Sequence, residues 1–88
     1  MQIKLIVKDK SISIVLSKEL KRLDKITWVD ENDLLEKFFD NLEQILKSNK
    51  CNIDDIDDFV LESNISNKYT TARIAKTLMD TLQFASGL

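Results

Sequence analysis

The segment Leu34-Leu35-Glu36-Lys37-Phe38-Phe39-Asp40-Asn41-Leu42-Glu43-Gln44-Ile45-Leu46 decides the fold of this chain. Its apolar residues recur every three or four positions and cover an arc of about 140° on a helix, which is typical of a helix with one buried side. Residues with cap-forming side chains precede the segment at 30–33, and Asn49 follows it as a candidate left-handed terminating residue. We therefore predict a helix over residues 31–48 that packs one face on a core.

Three short strands are predicted before this helix. Apolar residues alternate in 2–8 and in 11–17, and the two-residue link Asp9-Lys10 has the length of a tight hairpin turn. A β-branched and aromatic stretch at 26–29, after a charged turn at 18–25, predicts the third strand. The short links between these strands favour an antiparallel meander.

A fourth strand and a second helix are predicted after the first helix. The unbroken apolar run Phe59-Val60-Leu61 predicts a strand buried on both faces, and apolar residues at helical spacing predict a helix over 70–84. Because the first helix must cross over the sheet, we expect the fourth strand to pair in parallel with a central strand. The predicted fold is one α/β domain over residues 1–88, in which two helices pack on a three-stranded antiparallel meander plus a fourth parallel strand.

The composition is that of a globular domain that lacks the residues of common catalytic sites. Of the 88 residues, 43% are hydrophobic and 32% are charged, which separates the chain from disordered segments. Histidine is absent, and the one glycine is Gly87, so a histidine base and a glycine-rich phosphate loop are both missing. The single cysteine, Cys51, and the lack of an apolar run of membrane length favour a cytoplasmic protein without membrane contact. We expect no catalytic, cofactor or metal site.

Charge is distributed unevenly along the sequence. Residues 1–29 carry a net charge of +4, residues 30–62 a net charge of −8, and residues 63–88 a net charge of +2. The lysines of the first segment are spaced like the solvent side of strands. Because the acidic middle segment repels nucleic acid, we expect no direct nucleic acid binding. The same imbalance favours a dipolar surface that attracts a protein partner.

The order of motifs from residue 33 to residue 79 resembles the N-terminal lobe of the TsaB family. That family has a Leu-Leu helix, a Ser-Asp-Leu-Asp-like turn, a hydrophobic strand and the segment Gly-Pro-Gly-Ser-Phe-Thr-Gly-Leu-Arg-Ile-Gly. Here Leu34-Leu35 opens the first helix, 52–57 matches the turn, and Tyr69-Thr70 and Arg73-Ile74 match the Phe-Thr and Arg-Ile pairs. The resemblance implies the actin/sugar-kinase/Hsp70-like fold, whose lobe begins with the same order of strands and helices.

The resemblance also implies an interaction module rather than an enzyme. TsaB proteins are non-catalytic scaffolds that pair with the catalytic subunit TsaD to make threonylcarbamoyladenosine in tRNA, and the pairing uses the two helices of this lobe. This sequence departs from the family where Ser66, Asn67, Thr71 and Ala75 stand in place of loop glycines, and it holds one incomplete lobe. The implied partner is a TsaD-type subunit.

We expect the partner surface where the apolar arcs of the two helices are wider than a small sheet can cover. The residues expected to be exposed there are Phe39, Leu46, Met79 and Phe84. The family-like helix start is expected at Tyr69, Thr70, Arg73 and Ile74. Such a surface fits a TsaD-type subunit or a second copy of the chain, which gives a heterodimer or a homodimer.

Two other functions are compatible with the sequence. One is ATP binding or phosphotransfer by a remnant of an actin-like fold, which would use Asp9 and the start of the second helix. The other is a small homodimer whose role is unrelated to tRNA. An acidic cluster lies at 54–58, but it lacks the alternating ligands and central glycine of a calcium loop, so we interpret it as a solvated capping segment.

Overall fold

The computed structural model describes residues 1–31, 33–63 and 70–86, and in these ranges it shows four strands and two helices. In chain order they are β1 Gln2–Lys8, β2 Ser11–Lys18, β3 Lys21–Val29, α1 Leu34–Ser48, β4 Asp58–Ser63 and α2 Thr70–Ser86. A short 3-10 helix, Ile53–Asp55, precedes β4. The predicted α/β class and order of elements are confirmed. No helix in the described ranges combines the length and apolar composition needed to cross a membrane.

The strands form one mixed sheet in the order β3-β2-β1-β4. β2 pairs antiparallel with both β1 and β3, whereas β4 lies parallel to β1. A parallel pair requires a crossover connection, and α1 lies in that connection. The expected parallel pairing of the fourth strand with a central strand is therefore confirmed.

The core lies between the sheet and the two helices. Every second residue of β1 is buried, whereas in β2 all five residues from Ile12 to Leu16 are buried. The register sets the core residues of the two strands side by side, as Leu5 beside Ile14. The most buried core side chains, none more than 3% exposed, are Ile3, Leu5, Val7, Ile12, Ile14, Leu16, Leu34, Phe38, Ile45, Ile56, Ala75 and Met79. Leu42 and Leu78, which the helical periodicity assigns to the buried faces, are 5% and 8% exposed, so that assignment is confirmed.

The connection between β2 and β3 is tighter than predicted. The prediction of a charged turn over 18–25 is wrong, because β3 begins at Lys21 and the turn consists of only Glu19 and Leu20. Both residues have positive φ, 53° and 67°, as the central residues of a type I′ hairpin turn must. Glycine and asparagine adopt this backbone most easily, and neither is present, so the sequence carries no signal for the turn.

The strand β4 lies at the edge of the sheet, and because α1 and α2 pack on only one face, the prediction that β4 is buried on both faces is wrong. Phe59 is buried against the helices, whereas Val60 and Leu61 are partly exposed. The backbone N–H of Phe59 donates a hydrogen bond of 2.7 Å to Oε1 of Gln83. Helix α2 thereby covers part of an edge that would otherwise be available to another strand.

The ends of α1 also differ from the prediction. The helix begins at Leu34, and the carboxylate of the N-cap residue Asp33 makes no capping hydrogen bond. At the other end Asn49 has a φ of −106°, and it is Lys50 that takes the left-handed φ of 56°. The amide of Asn49 instead donates to the backbone oxygen of Ile45 at 2.7 Å and to Oδ2 of Asp24 at 2.9 Å, which fastens the end of α1 to β3.

Candidate interaction groove between the helices

The outer side of the helical layer carries an apolar groove, which we call the helical groove. Three of its side chains are about half exposed, namely Leu35 at 49%, Phe39 at 50% and Ile53 at 45%. Helix α2 contributes Ile74 and Leu82, which are partly buried. The groove therefore exposes a set of neighbouring apolar residues rather than a single isolated one.

Two shallow cavities lie along the helical groove, and each is lined by residues of both helices. The first, of about 430 Å³, is lined by Leu35, Arg73, Ile74, Thr77, Leu78 and Thr81. The second, of about 370 Å³, is lined by Phe39, Leu42, Glu43, Leu46, Ile53 and Leu82. Apolar cavities of this kind accept the anchoring side chains of a partner protein.

The core holds Phe39 in position within the helical groove. Its ring meets the ring of Phe38 edge to face, with the ring centroids 5.3 Å apart and the ring planes at 79°. Phe38 is fully buried, so one neighbour of the exposed ring is itself fixed. Because an already positioned aromatic ring loses little conformational freedom on binding, Phe39 is suited to anchor a partner.

Charged residues of opposite sign mark the two ends of the helical groove. Arg73 lines the first cavity and Glu43 lines the second. Oε1 of Glu43 forms an ion pair with Nζ of Lys47 in the same helix, at a distance of 2.9 Å, and both side chains are mostly exposed. Such exposed pairs add little stability, but they give the apolar centre the polar rim that protein interfaces have.

The four residues predicted for the partner surface do not form one exposed patch. Phe39 is exposed and lines the groove, and Phe84 is 73% exposed but lines neither cavity. The predicted exposure of Leu46 and Met79 is wrong, because they are 8% and 2% exposed and belong to the core. Helix α2 packs against β4, β1 and α1 together, so its buried arc is wide enough to include Met79.

Two exposed residues of the helical groove, Leu35 and Ile53, are not predicted by the sequence pattern. The helical periodicity assigns Leu35 to the buried side of the first helix, and the sequence assigns Ile53 to a turn. At 100° per residue Leu35 lies inside the apolar arc, about 40° from its border at Phe39, so periodicity alone does not predict its exposure. The distance between the helices, which the sequence does not state, decides whether such a residue is covered.

The family-like helix start lies only partly within the described residues. Tyr69 lies outside them, and Thr70 is described as the first residue of α2 without its side chain. Arg73 is exposed, Ile74 is partly buried, and both line the first cavity. The residue pair that matches the family motif thus borders the helical groove.

Asp30 is hydrogen-bonded to both segments proposed for a phosphate site, the β1–β2 turn and the start of α2. Asp9 is exposed in the β1–β2 turn, and the backbone N–H of Asp30 donates to the oxygen of Lys10 at 3.1 Å. The hydroxyl of Thr71, in the first turn of α2, donates to Oδ2 of Asp30 at 2.9 Å. A carboxylate beside a helix N-terminus interacts favourably with the helix dipole and opposes the approach of a phosphate.

The described residues contain no group of three or more side chains arranged to hold a metal ion. No protein family model matches the chain, and no curated protein matches it at a significant level.

Proposed function

We propose that the protein is a non-catalytic interaction module that binds a protein partner through the helical groove. The observation that carries the proposal is the half exposure of Leu35, Phe39 and Ile53 along two apolar cavities. Clustered apolar exposure of this kind is uncommon on a monomer and marks interaction surfaces. The lack of histidine and of a glycine-rich loop in the sequence agrees with a scaffold role.

The proposed partner is a TsaD-type subunit, and the proposed process is the synthesis of threonylcarbamoyladenosine in tRNA in the cytoplasm. This part rests on the resemblance of residues 33–79 to TsaB, in which the same two helices pair with TsaD. The position of Arg73 and Ile74 at the first cavity supports it, because these residues match the family motif. Phe39 is the expected aromatic anchor of the contact.

The proposal is tested by isothermal titration of the purified chain with the TsaD-type subunit of the same cell. Phe39→Asp and Leu35→Asp each introduce a carboxylate into the helical groove. We expect each variant to weaken binding by about tenfold or more, because burying an unpaired charge in an apolar contact is costly.

Leu20→Asp is the matched control for these variants. Leu20 is fully exposed in the β2–β3 turn and lines neither cavity of the groove, so we expect unchanged binding and an unchanged far-UV spectrum. Lack of binding by the unmodified chain at about 100 µM, a concentration that detects weak complexes, would contradict the proposed partner. Equal binding by Phe39→Asp would contradict the groove itself.

A further inference from the structure

The sheet face opposite the helices, which we call the open face, carries unpaired cations. Successive side chains of a strand point to opposite faces, so the residues between the core positions share this face. Along β1, β2 and β3 its charged residues are all basic, and we call them the basic patch: Lys4, Lys8, Arg22 and Lys25. No ion pair found among the described residues involves any of the four.

The fold separates the basic patch from most of the acidic residues. The segment 30–62, with a net charge of −8, forms α1, its flanking connections and most of β4. Of its acidic residues, Asp58 and Glu62 share the open face on the edge strand β4, and Asp57 lines a cavity with Lys4 at one end of that face, together with Glu19 of the β2–β3 turn. The net charge of the segment 30–62 predicts that nucleic acid is repelled. In the folded chain, however, most of these acidic side chains lie away from the open face, which carries the basic patch.

The basic patch has the spacing and neighbours of a surface that contacts phosphates. Lys4 and Lys25 lie in one cross-strand row on either side of Val15, which puts their backbones about 10 Å apart. Lys8 lies four residues beyond Lys4, or about 13 Å along the strand. Hydroxyl groups share this face: Ser11 pairs with Lys8, Ser17 pairs with Arg22, and Thr27 is hydrogen-bonded to Ser13 at 2.8 Å. Lysine, arginine, serine and threonine are the side chains that commonly hydrogen-bond phosphate oxygens.

We infer that the open face binds the backbone of an A-form RNA duplex. No aromatic side chain of the described residues lies on this face, so it favours contacts with phosphates and 2′-hydroxyls over stacking with bases. A sheet face has no projecting helix, which suits the wide, shallow minor groove of A-form RNA, whereas the major groove of B-DNA admits a helix or a ribbon.

The open face suits RNA better than it suits a protein partner. At the centre of the face Val15 is only 8% exposed, and the more exposed apolar residues, Val29 at 64% and the partly exposed Val60, lie apart on the two edge strands. Because the helical groove lies on the other side of the sheet, RNA and a protein partner can bind at the same time. The inference stands on the charges of the open face and is independent of the proposed partner.

The test measures fluorescence anisotropy of a labelled 20-base-pair RNA duplex with the whole chain, between about 50 and 200 mM salt. Four phosphate contacts predict that log K falls with log salt with a slope of about −3 to −4. The double variant Lys8→Ala/Lys25→Ala removes two exposed cations, so we expect the slope to be weaker by about two and the affinity at 50 mM salt to fall roughly tenfold. Glu62→Gln removes an acidic neighbour and should strengthen binding.

Lys37→Ala/Lys47→Ala is the matched control, because it removes the same charge from two exposed residues of α1. We expect this control to bind RNA as the unmodified chain does, and circular dichroism to show that every variant is folded. The inference is overturned if the control loses as much affinity as Lys8→Ala/Lys25→Ala. It is also overturned if a DNA duplex of the same sequence, or poly-glutamate as a model of an acidic protein, binds as tightly as the RNA.

Discussion

Within the described residues, four residues other than glycine hold a left-handed backbone: Lys10, Glu19, Leu20 and Lys50. This conformation brings Cβ close to the next carbonyl oxygen and costs about 1–2 kcal/mol per residue. At Glu19 and Leu20 the pairing of Lys18 with Lys21 leaves only two residues for the turn. The strands therefore impose this backbone on residues that do not favour it.

The double variant Glu19→Asn/Leu20→Gly should stabilise the protein. It supplies the Asn-Gly pair that a type I′ turn prefers, and we expect the free energy of unfolding to rise by about 1 kcal/mol. The relieved strain exceeds the extra backbone entropy that glycine loses on folding, which is about 0.5–1 kcal/mol. Urea denaturation measures the change.

A control for this variant lies one residue beyond the turn. Lys21→Gly puts glycine in β3, where it weakens the strand, so we expect a loss of stability instead of a gain. A turn variant that is no more stable than the unmodified chain would show that the turn holds no strain.

At the scale of the elements, the helices are held to the sheet by buried apolar side chains, among them Leu42 and Leu78. Leu42→Ala and Leu78→Ala each remove a buried side chain, and we expect the free energy of unfolding to fall by about 2–5 kcal/mol. Leu35→Ala changes a half-exposed leucine of the same helix as Leu42 and should cost clearly less. Denaturant melts that give both buried sites a loss below about 0.5 kcal/mol would contradict the packing described above.

The order of the elements could be predicted because each element has its own periodicity. The alternation in 2–8, the helical spacing from Leu34 to Leu46 and the apolar run 59–61 are local patterns, and the crossover rule converts them into a mixed sheet. The depth at which a residue is buried depends instead on its neighbours in space. Val60 is partly exposed because it lies on the open face, which the two helices do not cover, and Met79 is buried because α2 packs against three elements.

The candidate site was less predictable than the fold for the same reason. Phe39 could be predicted as exposed, since it lies at the border of the apolar arc, next to Glu36 and Glu43 on the helix surface. The cavities of the helical groove depend on the separation of two helices that lie far apart in sequence. The basic patch depends on strand register, which brings Lys4 and Lys25 into one row although 20 residues lie between them.

At the scale of the whole molecule, the helical groove is an uncovered apolar surface in the isolated chain. We expect the isolated chain to form a weak homodimer at about 100 µM, because a two-fold arrangement covers the same patch on both copies. Sedimentation should detect the dimer, and X-ray scattering should give a radius of gyration above the 12.3 Å of one chain.

Phe39→Asp should return the protein to the monomer, whereas Lys25→Ala, on the opposite side of the sheet, should leave the dimer unchanged. A homodimer that survives Phe39→Asp would show that association uses another surface. A strictly monomeric chain at this concentration would show that the groove alone does not drive self-association.

The place of β1 in the sheet has a consequence for folding on the ribosome. β1 is the first strand, yet it lies between β2 and β4, and 56 positions separate Gln2 from its hydrogen-bonded partner Asp58. The meander and α1 can form from contacts between near neighbours, but β1 and β4 pair only after a long loop closes, and such non-local contacts form slowly. Until β4 and α2 have emerged, one edge of β1 and part of its apolar side stay exposed on the nascent chain, which is the state in which chaperones are needed.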